Sequence, residues 1–307
     1  MPDDKKLSVL VWLILAIIWS TTWIFIKIGL EDLPPLAFAS SRFVIAVAVL
    51  FIFGLARGMR LPRTASDWKL IAITGGLQFS INYSAVFWAE QHITSGLAAV
   101  LQATITVFGL LLAWIFLPDE RITARKVVAV ATGIGGVTVI FADQLRVENW
   151  MAFAGCVVIV VGSYAAAQAS ILTKARGSGI HPATLVMCQM ICGVPPVIIY
   201  SLASEGSPFT FNWTWRAIGC ILYLSLLGTI TAFWLYYWLL RRVESTKAMM
   251  ISLVTPLLAV VIGWLVLGET LPPQTGIGGL LIIGSIGLIV FGRREKKLAA
   301  DAVGSDR

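Results

Sequence analysis

The sequence predicts an all-α polytopic membrane protein with ten transmembrane helices arranged as two inverted five-helix repeats. Composition is the first observation: 58% of the 307 residues are hydrophobic and 13% charged, with a mean hydropathy of +0.87, whereas soluble domains carry about 25% charged residues. The second is run length. The apolar residues gather in stretches close to the roughly 20 residues that a helix needs to cross a bilayer, not in the roughly ten-residue alternating strands of a membrane barrel. The third is internal repetition. Lys27, Pro35 and Arg42 are followed 147 residues later by Lys174, Pro182 and Gln189; further on, Trp88, Ser95, Ala98 and Trp114 meet Trp238, Ser245, Ala248 and Trp264 at an offset of 150. Five spans per half send the second copy into the bilayer from the opposite side, the inverted-repeat architecture of transporters.

Taken in order, spans are expected near residues 8–28, 34–56, 68–89, 94–117, 124–142, 150–173, 182–203, 214–239, 246–267 and 274–292. The first ends at the charged Glu31 and Asp32 without a small-residue cleavage site, so it reads as a retained span and not a signal peptide. The fourth contains the solidly apolar Ala98 to Leu117. The fifth and tenth carry Gly133, Gly136, Gly284 and Gly287, which permit close helix contact and mark these helices as scaffold or dimer interface. Pro195 and Pro196 in the seventh and Pro256 in the ninth each remove a helical hydrogen bond and favour kinks. The repeats cover residues 1–147 and 148–292, and a basic tail follows at 293–307.

Basic residues set the orientation. With the N-terminus cytoplasmic, only Arg146 and Arg216 of the 23 Lys and Arg fall on the far side, and Lys27 and Arg42 lie within or at the edge of spans. Both termini are expected inside, in a cell inner (plasma) membrane. The net charge of +7 follows from this asymmetry and from anionic headgroups, so no nucleic-acid partner is read into it.

Several classes are disfavoured. Cys156, Cys188, Cys192 and Cys220 all fall inside spans without metal or redox spacing, and neither a cofactor nor a metal site is expected. An intramembrane enzyme needs a nucleophile with a nearby base, or clustered metal ligands; the two histidines, His92 and His181, lie at opposite faces. A channel would show a filter of carbonyls or charges. No connection is long enough for a nucleotide-binding domain.

The segments WSTTWIFIKIGL, PPLAFASSRF, FGLLLAWIFLPDERIT and VTPLLAVVIGWLVLGETLPP resemble those of the EamA family in the drug/metabolite transporter superfamily, at matching places in both halves. The resemblance covers essentially the whole chain. It implies a ten-helix bundle with cytoplasmic termini and a central cavity, in a family whose members commonly export amino acids or related metabolites. One departure stands out: Thr106 occupies the position where the second half, like the family, has Pro256. The fourth helix is therefore expected to be straighter than the ninth.

Buried polar residues are costly in a bilayer unless they face a partner or water, and residues four apart share a helix face. Gln78 with Asn82, Gln102 with Thr106, and Tyr164 with Gln168 form such pairs. They read either as one converging polar pocket or as interhelical hydrogen bonding. Trp19, Tyr83, Trp88, Trp234 and Trp238 lie deeper than the interfacial Trp68, Trp150, Trp213 and Trp215, and those that face inward would give the cavity apolar walls. The substrate-binding set is therefore Trp19, Gln78, Asn82, Tyr83, Gln102, Tyr164, Gln168, Trp234 and Trp238.

Embedded charges supply the gating set: Lys27, Arg42, Glu90 and Lys174. Lys27 and Arg42 approach the outer face, where Glu31, Asp32 and Glu90 are placed to neutralise them; the alternatives are snorkelling of Lys27 and a structural ion pair for Arg42. Gln189 replaces the arginine on the opposite side, so the two gates would close by different chemistry. No carboxylate lies deep in a span, which favours facilitated diffusion or peripheral proton coupling at Glu90. The functional expectation is an exporter of small amphipathic metabolites such as amino acids, working by alternating access as a monomer or weak homodimer; the alternative is a flippase for lipid-linked sugars or other lipids.

Overall fold

The computed structural model describes residues 2–267 and 273–304, with side-chain surroundings for 5–94, 97–266 and 273–289. Among the described residues the regular structure is helical throughout, without strands. The helices are α1 (Pro2–Gly29), α2 (Pro35–Ala56), α3 (Ala65–Glu90), α4 (Leu97–Phe116), α5 (Ala124–Ile140), α6 (Trp150–Arg176), α7 (Pro182–Ser204), α8 (Trp215–Leu240), α9 (Ser245–Val266) and α10 (Gln274–Gly304). Eight of them, α1 to α4 and α6 to α9, are long and apolar enough to cross a membrane. With 17 residues, α5 reaches about 26 Å at 1.5 Å per residue, short of a core about 30 Å thick. The apolar part of α10 is Gln274–Ile289, and its backbone stays helical to Gly304, through most of the stretch expected as a tail. Residues 268–272 and 305–307, and the side chains beyond 289, lie outside the described residues.

Helix starts follow the sequence closely because side-chain oxygens satisfy the orphan N–H groups of the first turn. Thr64, Thr123, Asn149 and Thr214 accept from the backbone N–H of Asp67, Lys126, Ala152 and Ala217 at 3.1, 3.3, 2.9 and 3.0 Å. Pro34 at the start of α2 has no such oxygen, and the carboxylate of Glu205, at the far end of α7, takes the role. Leu36 N–H and Ala37 N–H each donate to it at 2.7 Å.

Two helices contain π-helical turns, Gly76–Asn82 in α3 and Leu224–Thr231 in α8. Two others are interrupted: α4 at Ala103–Thr104 and α9 at Met250. The fourth helix is thus interrupted as the ninth is. Thr104 Oγ1 donates to Leu101 O at 2.6 Å and Thr106 Oγ1 to Ala103 O at 2.8 Å, while Thr106 N–H also bonds Ala103 O. These hydroxyl bonds to carbonyls three residues back accompany a tightened turn, and α4 is interrupted with no proline present. Pro256 sits inside the continuous Ile251–Leu267 stretch, and the break precedes it. In α7 the helix stops at Gly193 and resumes at Pro195, as the Pro195–Pro196 pair requires.

Glycines set the closest helix crossings. A Cβ on Gly75 would lie 2.3 Å from Gln189 O, and one on Gly193 would lie 2.2 Å from Gly75 O, so α3 and α7 cross backbone to backbone. Between α5 and α10, Gly136 and Gly278 pack in the same way, with a Cβ on either meeting the other's carbonyl oxygen at 2.7 and 2.5 Å. Gly133 meets Leu253 and Ser285. Gly284 is open, with nothing within 4 Å; the second-half glycine that makes the close contact is Gly278.

Candidate functional site

A cavity of about 230 Å3 lies among α1, α2, α3, α4, α6, α8 and α9, with no wall from α5, α7 or α10. Of the expected binding residues, Trp19, Gln78, Asn82, Tyr83 and Gln102 line it, and so do Arg42 and Glu90 from the expected gate. The π-turn of α3 carries Gln78 and Asn82, and the wider turn keeps both on the cavity side. Gln102 Nε2 donates to Asn82 Oδ1 at 3.3 Å, and Ser163 Oγ lies 3.5 Å from Gln102 Oε1. These amides therefore both border the cavity and bind each other.

The remaining expected residues lie elsewhere. Tyr164 is 44% exposed and packs edge-on against Phe108 at 5.5 Å. Gln168 is not on the cavity wall, and its Oε1 is buried without a hydrogen-bond partner. Instead α6 presents Ile159, Ala166 and Ser170, a stripe at helical spacing. On α8, Trp234 is 41% exposed and Trp238 lies under the Arg242 guanidinium at 3.9 Å; the cavity takes Phe233 and Tyr236. The α8 wall residues thus precede Trp234 and Trp238 by one and two positions. Trp19 packs against both Phe233 and Tyr236, with ring centroids 6.0 and 5.4 Å apart, and Tyr236 OH donates to Ser170 Oγ at 3.2 Å. Trp23 and Ile26 extend the α1 wall beyond Trp19 at i+4 and i+7, a spacing that was readable in the sequence.

The outer acidic residues engage an arginine of the second half. Glu31 and Asp32 bind Arg216 at the start of α8, at 2.7 and 2.9 Å, and Thr214 Oγ1 donates to Asp32 Oδ2 at 2.6 Å. Hydrogen bonds from Arg216 and then Thr214 hold the Asp32 carboxyl below its ordinary pKa. Arg42 is 4% exposed, with its guanidinium carbon 4.7 Å from the Phe43 ring centroid and 4.9 Å from that of Tyr83, in cation–π geometry. Its Nε, and Glu90 Oε1, are buried without hydrogen-bond partners. Lys27 does not line the cavity. Gln189 is fully buried, donating to Thr74 and Thr173 and accepting from Tyr237 OH at 2.8 Å, so it joins α3, α6, α7 and α8.

The cavity runs from Ser170 and Met249 toward Ile26, Glu90 and Ala98. Beyond Ser170 and Met249 the bundle is tied shut. Lys174 Nζ lies 2.6 Å from Glu120 Oε1 and also donates to Val243 O, while Glu120 accepts from Ser245 N–H at 2.9 Å and Ser245 Oγ at 2.5 Å. Arg241 donates to Gly177 O and Ile180 O, and Lys126 pairs with Glu244 at 3.0 Å. Among the described residues no cluster of three or more His, Cys, Asp or Glu is placed to hold a metal ion.

Apolar spanning helices around a part-polar cavity that is closed at one end define a helical membrane transport protein. The chain belongs to the EamA-like transporter family, whose model matches residues 6–142 and again 153–291. It is 30% identical to the uncharacterized inner membrane transporter YedA of Escherichia coli strain K12, over 91% of this chain and 89% of that protein. It is 29% identical to a probable terminal-alkyne amino-acid exporter of Streptantibioticus cattleyicolor, over 95% and 97% of the two chains. A crystal structure with 18% sequence identity superposes with a TM-score of 0.80, covering 94% of this chain and 98% of that one, which establishes the shared fold.

Proposed function

We propose that the protein exports small amphipathic metabolites, amino acids among them, by alternating access, with no catalytic step. The observation that carries this reading is a cavity walled by both halves of the chain and closed at the Lys174–Glu120 end. Its volume of about 230 Å3 falls below the roughly 300–1,000 Å3 of sites for drug-sized ligands, which favours a single small solute over a lipid-linked sugar. Aromatic walls with a few amides and charges suit a solute that has one apolar and one polar end. The amino-acid exporter among the relatives points to the same substrate class.

The architecture in this reading is ten spans in two inverted repeats, residues 1–147 and 148–292, in an inner membrane with both termini cytoplasmic. Its support is the double match of the family model, the π-turns shared by α3 and α8, and the interruptions shared by α4 and α9. Such interruptions are places where helix halves can rock about a central site. Counterflow of labelled aromatic, aliphatic and thiol amino acids into proteoliposomes, with and without a pH gradient, tests the function. Saturable counterflow is expected. Its absence across the whole panel would remove the amino-acid reading.

A further inference from the structure

We propose that Arg42 and Glu90 are the two charged anchors of the cavity, with Arg42 receiving the carboxylate and Glu90 the ammonium group of one zwitterionic amino acid. This rests on the transport reading above and adds the residues and the charge pattern by which the substrate is chosen. Both side chains border the same cavity, one is basic and the other acidic, and no ion pair joins them among the described residues. Each keeps a buried polar atom without a partner, Nε on Arg42 and Oε1 on Glu90.

A buried charge without a partner is costly, and this chain meets the cost elsewhere. Glu120 has Lys174, and Glu205 holds two backbone N–H groups. Among the described residues, only at the cavity are a basic and an acidic side chain left with buried, unfilled hydrogen-bonding atoms. Arg42 is held beside the Phe43 and Tyr83 rings, and its Nε, without a partner, is an N–H left for a carboxylate, the acceptor that best matches a guanidinium. A zwitterion supplies both missing partners while entering as a net neutral solute. A ligand bearing one charge would leave the other anchor unmatched, so the pair discriminates by desolvation as well as by attraction. The apolar side chain then falls to the Trp19 and Tyr236 wall.

The test compares L-phenylalanine, phenethylamine and 3-phenylpropionate, three probes that share a ring and differ in charge, as competitors of labelled phenylalanine counterflow and as ligands of the purified protein. The native protein is expected to bind phenylalanine at least tenfold more tightly than either single-charge probe. Arg42→Gln should bring phenethylamine level with phenylalanine, and Glu90→Gln should bring 3-phenylpropionate level with it. The ratio is read within each variant, so a lower yield does not obscure it; if Arg42→Gln does not insert, Arg42→Lys reads the same ratio and should narrow it only partly. Equal weakening of all three probes in both variants, or no preference of the native protein for phenylalanine, overturns the anchors. If phenylalanine counterflow persists in that case, the transport reading survives without them; if the native protein neither binds nor exchanges phenylalanine, both fall.

Discussion

Lys174 Nζ lies 2.6 Å from Glu120 Oε1, and the same carboxylate accepts both the N–H and the hydroxyl of Ser245 at the start of α9. One acidic side chain from the first half therefore holds two elements of the second, the end of α6 and the beginning of α9. Glu120 is 6% exposed. Removing one partner of such a buried pair costs about 3–5 kcal/mol, because the other charge stays buried. Glu120→Ala should lower the unfolding temperature in detergent strongly. Glu120→Gln, which keeps acceptors for Ser245, should lower it less, and a thermal melt by circular dichroism separates the two.

The α3–α7 crossing has no room for a side chain. Gly75→Ala and Gly193→Ala each place a Cβ within 2.3 Å of a backbone oxygen, so both should reduce folded yield on size exclusion. Gly284→Ala adds a methyl where nothing lies within 4 Å, and in a helix alanine is favoured over glycine by about 1 kcal/mol. That variant should be at least as stable as the native chain.

Asp32, in the connection between α1 and α2, is clamped by Arg216 and Thr214. Its pKa is lowered in the folded protein, by the Arg216 hydrogen bond first and the Thr214 bond second. A carboxyl with a depressed folded pKa contributes stability above its unfolded pKa of about 3.9 and loses it as pH falls through the folded value. Asp32→Asn should therefore be less stable than the native protein at pH 7, with the difference shrinking as the pH is lowered below 4. The pair is exposed to solvent, so the effect is small and salt-sensitive; melts at 50 and 500 mM salt check it.

Tyr236 combines a place on the cavity wall with a hydrogen bond to Ser170. Tyr236→Phe keeps the ring and loses the bond, worth about 1 kcal/mol net, and should change counterflow affinity by less than tenfold. Trp19→Ala removes the ring that packs against both Phe233 and Tyr236 and should weaken aromatic substrates more than small ones. Initial-rate counterflow against substrate concentration measures both effects.

Helix positions were legible in the sequence because span length and end-capping residues are local signals. Which face of a span points inward is a property of the packed bundle. On α3 the spacing of Gln78 and Asn82 was sufficient, since the π-turn left both facing the cavity. On α8 the large tryptophans drew attention from Phe233 and Tyr236, although Trp234 is 41% exposed. The π-turns themselves leave no composition signal, and the break in α4 falls among threonines that read as ordinary polar residues. Charge partners were the least legible: Arg216 lies 184 residues from Asp32, and only the fold brings them together.

Sided thiol labelling tests the central claim of a cavity reached from one side at a time. In a chain freed of its own cysteines, Ser252→Cys places a thiol on the cavity wall. With the Lys174–Glu120 tie intact, a membrane-impermeant maleimide should label this site from the side where Glu90 lies and not from the opposite side; adding Glu120→Ala should open labelling from the Lys174 side. Saturating phenylalanine should protect the thiol in both cases. Equal labelling from both sides of the intact protein would indicate a continuous pore and contradict alternating access, as would a Lys174 side that stays closed after Glu120→Ala.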